Sequence, residues 1–312
     1  PLELDVLTYE DAAKLLLDLS PQRAKQADDD AQSLGLAEEV DGLALAVTQG
    51  AGYINQCRIT LAEYAKRLQA ATVKVLDWHD PKRMKYPRSL AVTWNTTFDR
   101  LSEPARTLLE MLSWLSTEPI PRDLLTNSEV SEVWKAAGVE HSEEALVELA
   151  DVSLLHVEGN SSRIHRLVQE ITRGRCEAGQ DTRSLEAMLQ VVNAFPLGDA
   201  TDVRTWHRWE PLIAHVTVVA DRGDAHSITT PTARLMNDAA LYWKLRIRFP
   251  EAERLYRRAI AINERSFGPD HPDVAAGLSN LASLLQETNR LSEAELLVRR
   301  ALEIIERSMG PE

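Results

Sequence analysis

Few side chains in this chain could do chemistry, and their spacing points to binding rather than bond-breaking. His165 stands in the run Ile164-His165-Arg166-Leu167-Val168-Gln169, just after a predicted hairpin. A ring N–H held there could be donated to an anionic oxygen, although a histidine hydrogen-bonded within its own hairpin is the plainer reading. Gly42, Leu43 and Ala44 open an apolar helix, where a glycine permits close helix packing or the approach of a flat ligand. Asn237 and Asn280 fall on the inner helices of a repeated unit, where side-chain amides can hydrogen-bond the backbone of an extended segment. The remaining histidines share no ligand-like spacing, and Cys57 and Cys176 lie far apart, so no metal site is expected. There is no nucleophile elbow and no His–Cys arrangement, so no catalytic residue is assigned.

These residues need elements to hold them. The clearest is a repeat. Glu251-Ala252-Glu253 aligns with Glu293-Ala294-Glu295, Arg257-Arg258-Ala259 with Arg299-Arg300-Ala301, and Gly268-Pro269 with Gly310-Pro311, at a constant offset of 42 residues. A fixed period of that length marks a solenoid of stacked helical hairpins. Within the better copy, His271-Pro272 starts a helix to about Glu287, Asn289-Arg290 turns, and Ser292 with Glu295 is expected to cap the partner helix. The chain begins at Pro1 and stops at Glu312 where a third copy would start, so it reads as a fragment.

Upstream, Thr8 with Asp11 and Thr60 with Glu63 are candidate capping boxes, and an apolar helix is expected over residues 44–54. A linker is expected at 77–87, followed by helices at 89–101, 102–115 and 142–151. Runs at 153–158 and 162–165 around Gly159-Asn160 predict a β-hairpin, closed by a helix at 167–175. Helices followed by such a hairpin suggest a winged helix. Residues 177–230 look less regular, although Trp206, Trp209, Leu212, Ile213 and Val216 fit one amphipathic helix. The expected class is therefore mainly α: a helical lid domain (1–80), a winged-helix domain with a short hairpin (81–178), a helical linker or degenerate repeat (179–231), and a helical-hairpin solenoid (232–312).

At 312 residues and 44% hydrophobic, the chain suits two or three ordinary domains, and its longest apolar runs are too short to span a bilayer. No leader is visible, so a cytoplasmic location is expected. The formal charge of −13 disfavours polyanions. The presumed recognition helix at 142–151 carries Glu143, Glu144, Glu148 and Asp151 without a single Lys or Arg, so nucleic-acid binding is not expected.

Two resemblances follow. Asn280-Leu281-Ala282, Ala294-Glu295 and Arg299-Arg300-Ala301, joined by Gly268-Pro269-Asp270-His271-Pro272, resemble tetratricopeptide repeats of the kinesin-light-chain type. Val40-Asp41-Gly42-Leu43-Ala44-Leu45-Ala46, the run from Thr93 to Leu101, and Ile164-His165-Arg166 resemble, in order, three motifs of the NB-ARC module of STAND signalling ATPases. The resemblance implies that His165 contacts the β-phosphate of ADP and that Gly42, Leu43 and Ala44 lie near the adenine. Ala44 stands where that family has proline, and Arg166 where it has aspartate. The chain carries no Gly-x-x-x-x-Gly-Lys-Ser/Thr loop and no apolar strand ending in paired acids. ADP or ATP is therefore expected to belong to a full-length parent whose nucleotide-binding core is missing here, and the fragment itself should not hydrolyse ATP. The implied partners are a protein or peptide on the concave face of the repeats, the missing core, and further copies on activation. The alternatives are a repeat adaptor without nucleotide switching and a winged-helix transcription regulator.

Overall fold

The computed structural model describes residues 7–76 and 88–309, so the expected linker at 77–87 and the Gly310-Pro311 turn lie outside the described residues. The first elements are α1 (Tyr9–Leu19), α2 (Asp29–Glu39), α3 (Ala44–Cys57), α4 (Leu61–Leu76), α5 (Arg88–Phe98) and α6 (Glu103–Leu112). A short strand β1 (Ile120–Pro121) precedes α7 (Asp123–Thr126), α8 (Ser131–Ala136) and α9 (Ser142–Asp151). Strands β2 (His156–Glu158) and β3 (Ser161–Arg163) lead into α10 (Arg166–Ala178) and α11 (Arg183–Ala194). A 3-10 turn at Val203–Thr205 then opens α12 (Trp206–Trp209) and α13 (Ile213–Ala225). The repeats are α14 (Thr232–Leu245), α15 (Phe249–Phe267), α16 (Pro272–Glu287) and α17 (Leu291–Met309). The chain is mainly helical, as its periodicity predicts. Its described residues form two compact units: one up to Ser113 together with Trp134–Thr182, the other Trp114–Val133 together with Arg183 onward.

In the first unit, local chemistry sets the helix starts. Thr8 accepts the Asp11 amide at 3.1 Å, and Thr60 and Glu63 complete a reciprocal box at 3.0 and 3.1 Å. Leu108, Leu109, Leu149, Val168 and Ile171 close a fully buried core among α6, α9 and α10. Strands β2 and β3 pair antiparallel, His156 opposite Arg163 and Glu158 opposite Ser161, with Gly159 at φ 58° in the turn. In α5 the predicted motif serves packing: Trp94 and Phe98 are buried and stacked at 4.5 Å, and the Arg175 guanidinium of α10 lies 4.2 Å from the Phe98 ring centre.

Helices α2, α9, α10, α13, α14 and α16 end alike. The residue after the cap takes positive φ, and the following amide bonds back five residues, as in Gly42 N–H to Ala37 O at 2.9 Å and Arg290 N–H to Leu285 O at 2.8 Å. This turn redirects the chain without a proline.

The second unit corrects three expectations. Helix α6 stops at Leu112 rather than at 115, because the chain turns there and Leu115 offers its carbonyl to Arg222 of α13 at 3.1 Å. The expected amphipathic helix from Trp206 to Val216 is two helices, because Pro211 lacks the amide that would continue the ladder. Residues 177–230 are not irregular: α11 and α13 pack as a hairpin ahead of the repeats. Residues 114–119 are held against it. Trp114 Nε1–H donates to Ser184 Oγ at 2.8 Å, and the fully buried His215 ring meets Ser116 Oγ at 3.0 Å and Pro119 O at 3.1 Å. A fourth correction concerns α17. It begins at Leu291, with Arg290 bonded to Glu293, and Glu295 accepts from Arg299 rather than completing a box with Ser292.

Candidate functional site

The inner helices α14 and α16 present matching stripes. Residues 234 and 237 on one, and 273, 276 and 280 on the other, recur every three or four positions and so share a helix face. Between these faces lies a groove of about 330 Å³. Its lining includes Ala233, Arg234, Asn237, Asn263, Asp273, Ala276 and Asn280. The small residues leave room for a ligand backbone. Asn280 Nδ2–H donates to Asn237 Oδ1 at 2.9 Å, so the two predicted asparagines are brought together across the groove. That bond leaves the Asn280 carbonyl as an acceptor, and the Asn237 amide, which gives one N–H to Asp238 Oδ1 at 3.5 Å, keeps its second N–H as a donor. Arg234 lies 3.6 Å from Asp238, whose carboxyl is pushed above its usual range by burial, against the opposing pull of Arg234. At one end Phe267, 49% exposed, stacks on His271 with ring centres 4.6 Å apart. The sequence reading missed Arg234, Asn263 and Asp273, although the three-residue step from Arg234 to Asn237 could have found the first.

His165 is exposed and forms the N-cap of α10, where its Nδ1 accepts the Leu167 N–H at 3.2 Å. With Nδ1 as acceptor, the neutral ring carries its proton on Nε2, the nitrogen left for a donor role. Partial burial lowers its pKa, which favours that neutral form near pH 7. His271 makes the same cap on α16, with Nδ1 accepting the Asp273 N–H at 3.2 Å.

Gly42 has φ 65° in the turn after α2. Its N–H bonds to Ala37 O and its C=O accepts Leu7 N–H at 2.9 Å, while Leu43 N–H bonds to Val40 O at 3.1 Å. Leu43 is buried and Ala44 half-buried. What these residues can offer a flat ligand is therefore chiefly apolar surface. Among the described residues no hydrogen bond joins His165 to positions 42–44, and no cluster of three or more metal-ligating side chains occurs.

The arginines of the repeat pair within the chain. Arg258 binds Asp221 and Asp224, Arg254 binds Asp221 at 3.2 Å, and Arg265 binds Asp224 at 2.7 Å, tying α15 to α13. Trp206, Trp209 and Trp243 gather around Tyr242 with ring centres 5.5–6.1 Å apart, packing rather than forming an open cage. Glu148 of α9, one of the four acids of the presumed recognition helix, accepts from Ser102 N at 2.7 Å and Ser102 Oγ at 2.6 Å at the start of α6.

Residues 232–307 match the tetratricopeptide repeat family. Residues 96–180 match a domain of unknown function (DUF7779). A nucleotide-binding leucine-rich repeat (NLR)-like protein of Hyaloscypha variabilis is 26% identical over 266 residues, which is 81% of this chain and 26% of the relative. The chain thus spans about a quarter of that relative's length. Among the described residues no helix is long and apolar enough to cross a membrane.

Proposed function

We propose that this chain is the regulatory and sensor part of a STAND-class signalling ATPase, with a protein or peptide ligand held along the groove between α14 and α16. The observation that carries the reading is the Asn237–Asn280 amide pair, which offers one donor and one acceptor above a floor of small residues. The NLR-like relative supports a nucleotide-linked role, and the repeat match supports protein–protein interaction.

In this reading residues 81–178 act as a winged helix and His165 gives an Nε2–H hydrogen bond to a phosphate oxygen of ADP bound in the core of the full-length protein. Ala44 and the apolar surface around Leu43 would border the adenine. Ligand binding shifts the module toward an open form only by its differential affinity for that form, and opening permits nucleotide exchange and self-association. The cytoplasm is the compartment that suits such a switch.

The test separates the two duties of His165 in the full-length protein. Asparagine also caps helices, so His165→Asn keeps the start of α10 but removes the ring. Release of bound ADP should accelerate roughly tenfold for His165→Asn, the equivalent of about 1.4 kcal/mol, with the melting midpoint unchanged. Unchanged ADP release would remove the phosphate contact from the mechanism.

One observation favours a second reading, a repeat adaptor without nucleotide switching. His271 forms the same imidazole cap in a repeat loop, and Gly42 is required by its own turn, so both motifs have structural duties. The transcription-regulator reading loses ground, since Glu148 is engaged inside the fold and its helix carries no base.

A further inference from the structure

Within the second unit a cavity of about 320 Å³ lies between α7, the end of α11 and α12. Its floor is apolar. Phe195 and Leu212 are buried there, and Pro121, Pro196 and Pro211 border them without a backbone N–H to offer. Directional contacts must therefore come from side chains, and the charges are sorted by element. Asp123 and Glu129 stand on α7 and the turn after it, whereas His207 and Arg208 stand on α12. The walls are fixed in advance. Trp206 Nε1–H donates to Ala200 O at 2.8 Å, Arg208 Nη1–H to Pro196 O at 3.1 Å and Trp209 Nε1–H to Gly198 O at 3.2 Å, which pins the loop between α11 and α12. That loop passes so close to α12 that a methyl group on Gly198 would meet Thr205 Cγ2 at 2.7 Å. On the other wall Leu124, Leu125 and Val130 are buried, and Asn127 Oδ1 accepts the Glu129 N–H at 2.9 Å. A site ordered in this way spares a ligand the cost of ordering it.

The charges on these walls are unspent. Every arginine from Arg234 to Arg307 binds a carboxylate. Arg208 binds only the Pro196 carbonyl and keeps most of its N–H groups. The carboxylates of Asp123 and Glu129 have no ion-pair or hydrogen-bond partner among the described residues. His207 Nδ1 lies 2.8 Å from Arg204 O, which can only accept, so Nδ1 carries the proton and the neutral ring leaves Nε2 as an acceptor. Acceptors for a cation thus stand beside a guanidinium fork suited to a carboxylate. Asp123, Glu129 and His207 do not form a metal-holding group, so the cation that fits is an organic one whose donors reach them separately.

We propose that this cavity binds a basic amino-acid group. The guanidinium or ammonium of its side chain lies against Asp123, Glu129 and His207 Nε2, its aliphatic stem on Phe195 and Leu212, and its carboxylate on Arg208. Two carboxylates against one guanidinium favour a ligand of net positive charge. The volume stands at the lower end of small-molecule pockets, about 300–1,000 Å³, which suits one residue rather than a long segment. A free basic amino acid and a basic residue at the C-terminus of a peptide present these same groups. The cavity shares no residue with the asparagine groove, so neither reading depends on the other.

Calorimetric titration of the 312-residue chain with L-arginine should show saturable binding, and L-citrulline, its neutral counterpart, should bind roughly tenfold or more weakly. Asp123→Asn combined with Glu129→Gln should bring L-arginine down to the citrulline level, with the melting midpoint of the free chain unchanged. Arg208→Gln should weaken L-arginine roughly tenfold, while agmatine, which lacks the carboxylate, binds as before. Arg208→Lys, which keeps the charge, should recover most of that loss. N-acetyl-L-arginine stands for a chain end: affinity equal to that of L-arginine assigns a peptide source, lower affinity a free amino acid, and both uphold the site. No saturable binding, equal affinity for citrulline, or full affinity in the Asp123–Glu129 double variant would overturn the proposal. Equal loss of L-arginine and agmatine on Arg208→Gln would overturn the carboxylate assignment.

Discussion

At the scale of single residues, the histidines show how one local geometry serves different ends. Nδ1 of His165 and of His271 each accepts the amide two residues on, and that bond decides which ring nitrogen keeps the proton. The position of His165 after a hairpin was legible in the sequence; its tautomer was not, because a cap depends on backbone angles that residue types only suggest. Ile247 raises a different point. It takes φ 60° in the turn after α14, a region costly for a β-branched side chain, and it is 72% exposed. Asn289 fills the same place one repeat later at φ 59°. Ile247→Asn should therefore stabilise the chain by about 1 kcal/mol, read as a higher urea midpoint at unchanged slope. A lower midpoint would mean that the exposed isoleucine makes contacts of its own.

At the scale of elements, the strongest signals were those with redundant chemistry. The repeat register and the Thr60–Glu63 box carry capping chemistry, helix α9 carries pattern alone, and all three stand where the sequence puts them. The helical pair α11 and α13 was harder to read because part of its apolar face is closed by residues 114–119, a remote segment that no periodic pattern reveals. Pro211 should have split the tryptophan-rich helix at the outset. His215 is the hinge pin between segment and hairpin. Burial lowers its pKa, only partly offset by the Pro119 carbonyl and by Glu118. The unfolded chain therefore takes up the proton first, and the stabilisation is complete above the ordinary value of 6.5. It is lost as pH falls from there toward the lower folded value. The melting midpoint should drop between about pH 7 and pH 5, and His215→Gln should flatten that drop. An unchanged pH profile would show that the ring titrates as though exposed.

At the scale of the whole molecule, the division into two units was only partly legible. Cα proximity joins Trp114–Val133 to Arg183 onward, although 50 positions separate Val133 from Arg183 in sequence. Sequence reading groups neighbours along the chain, whereas burial groups whatever fills the same space. The residues lining the groove divide in the same way. Asn237 and Asn280 could be anticipated because the repeat places both on inner helices, and Arg234 by its three-residue step from Asn237, while Asn263 and Asp273 join them only through folding.

The clasp formed by Trp114, Ser116 and Pro119 on α11 and α13 sets how this protein can be dissected. A truncation starting at Arg183 would bare an imidazole and an apolar trough that evolved with a lodger in place, and such a product should aggregate or melt early. Supplying a synthetic peptide of residues 114–133 should rescue it in a saturable, titratable manner. If the truncated product proves equally robust without the peptide, the lodger is ornamental, and the array can be transplanted from that point alone.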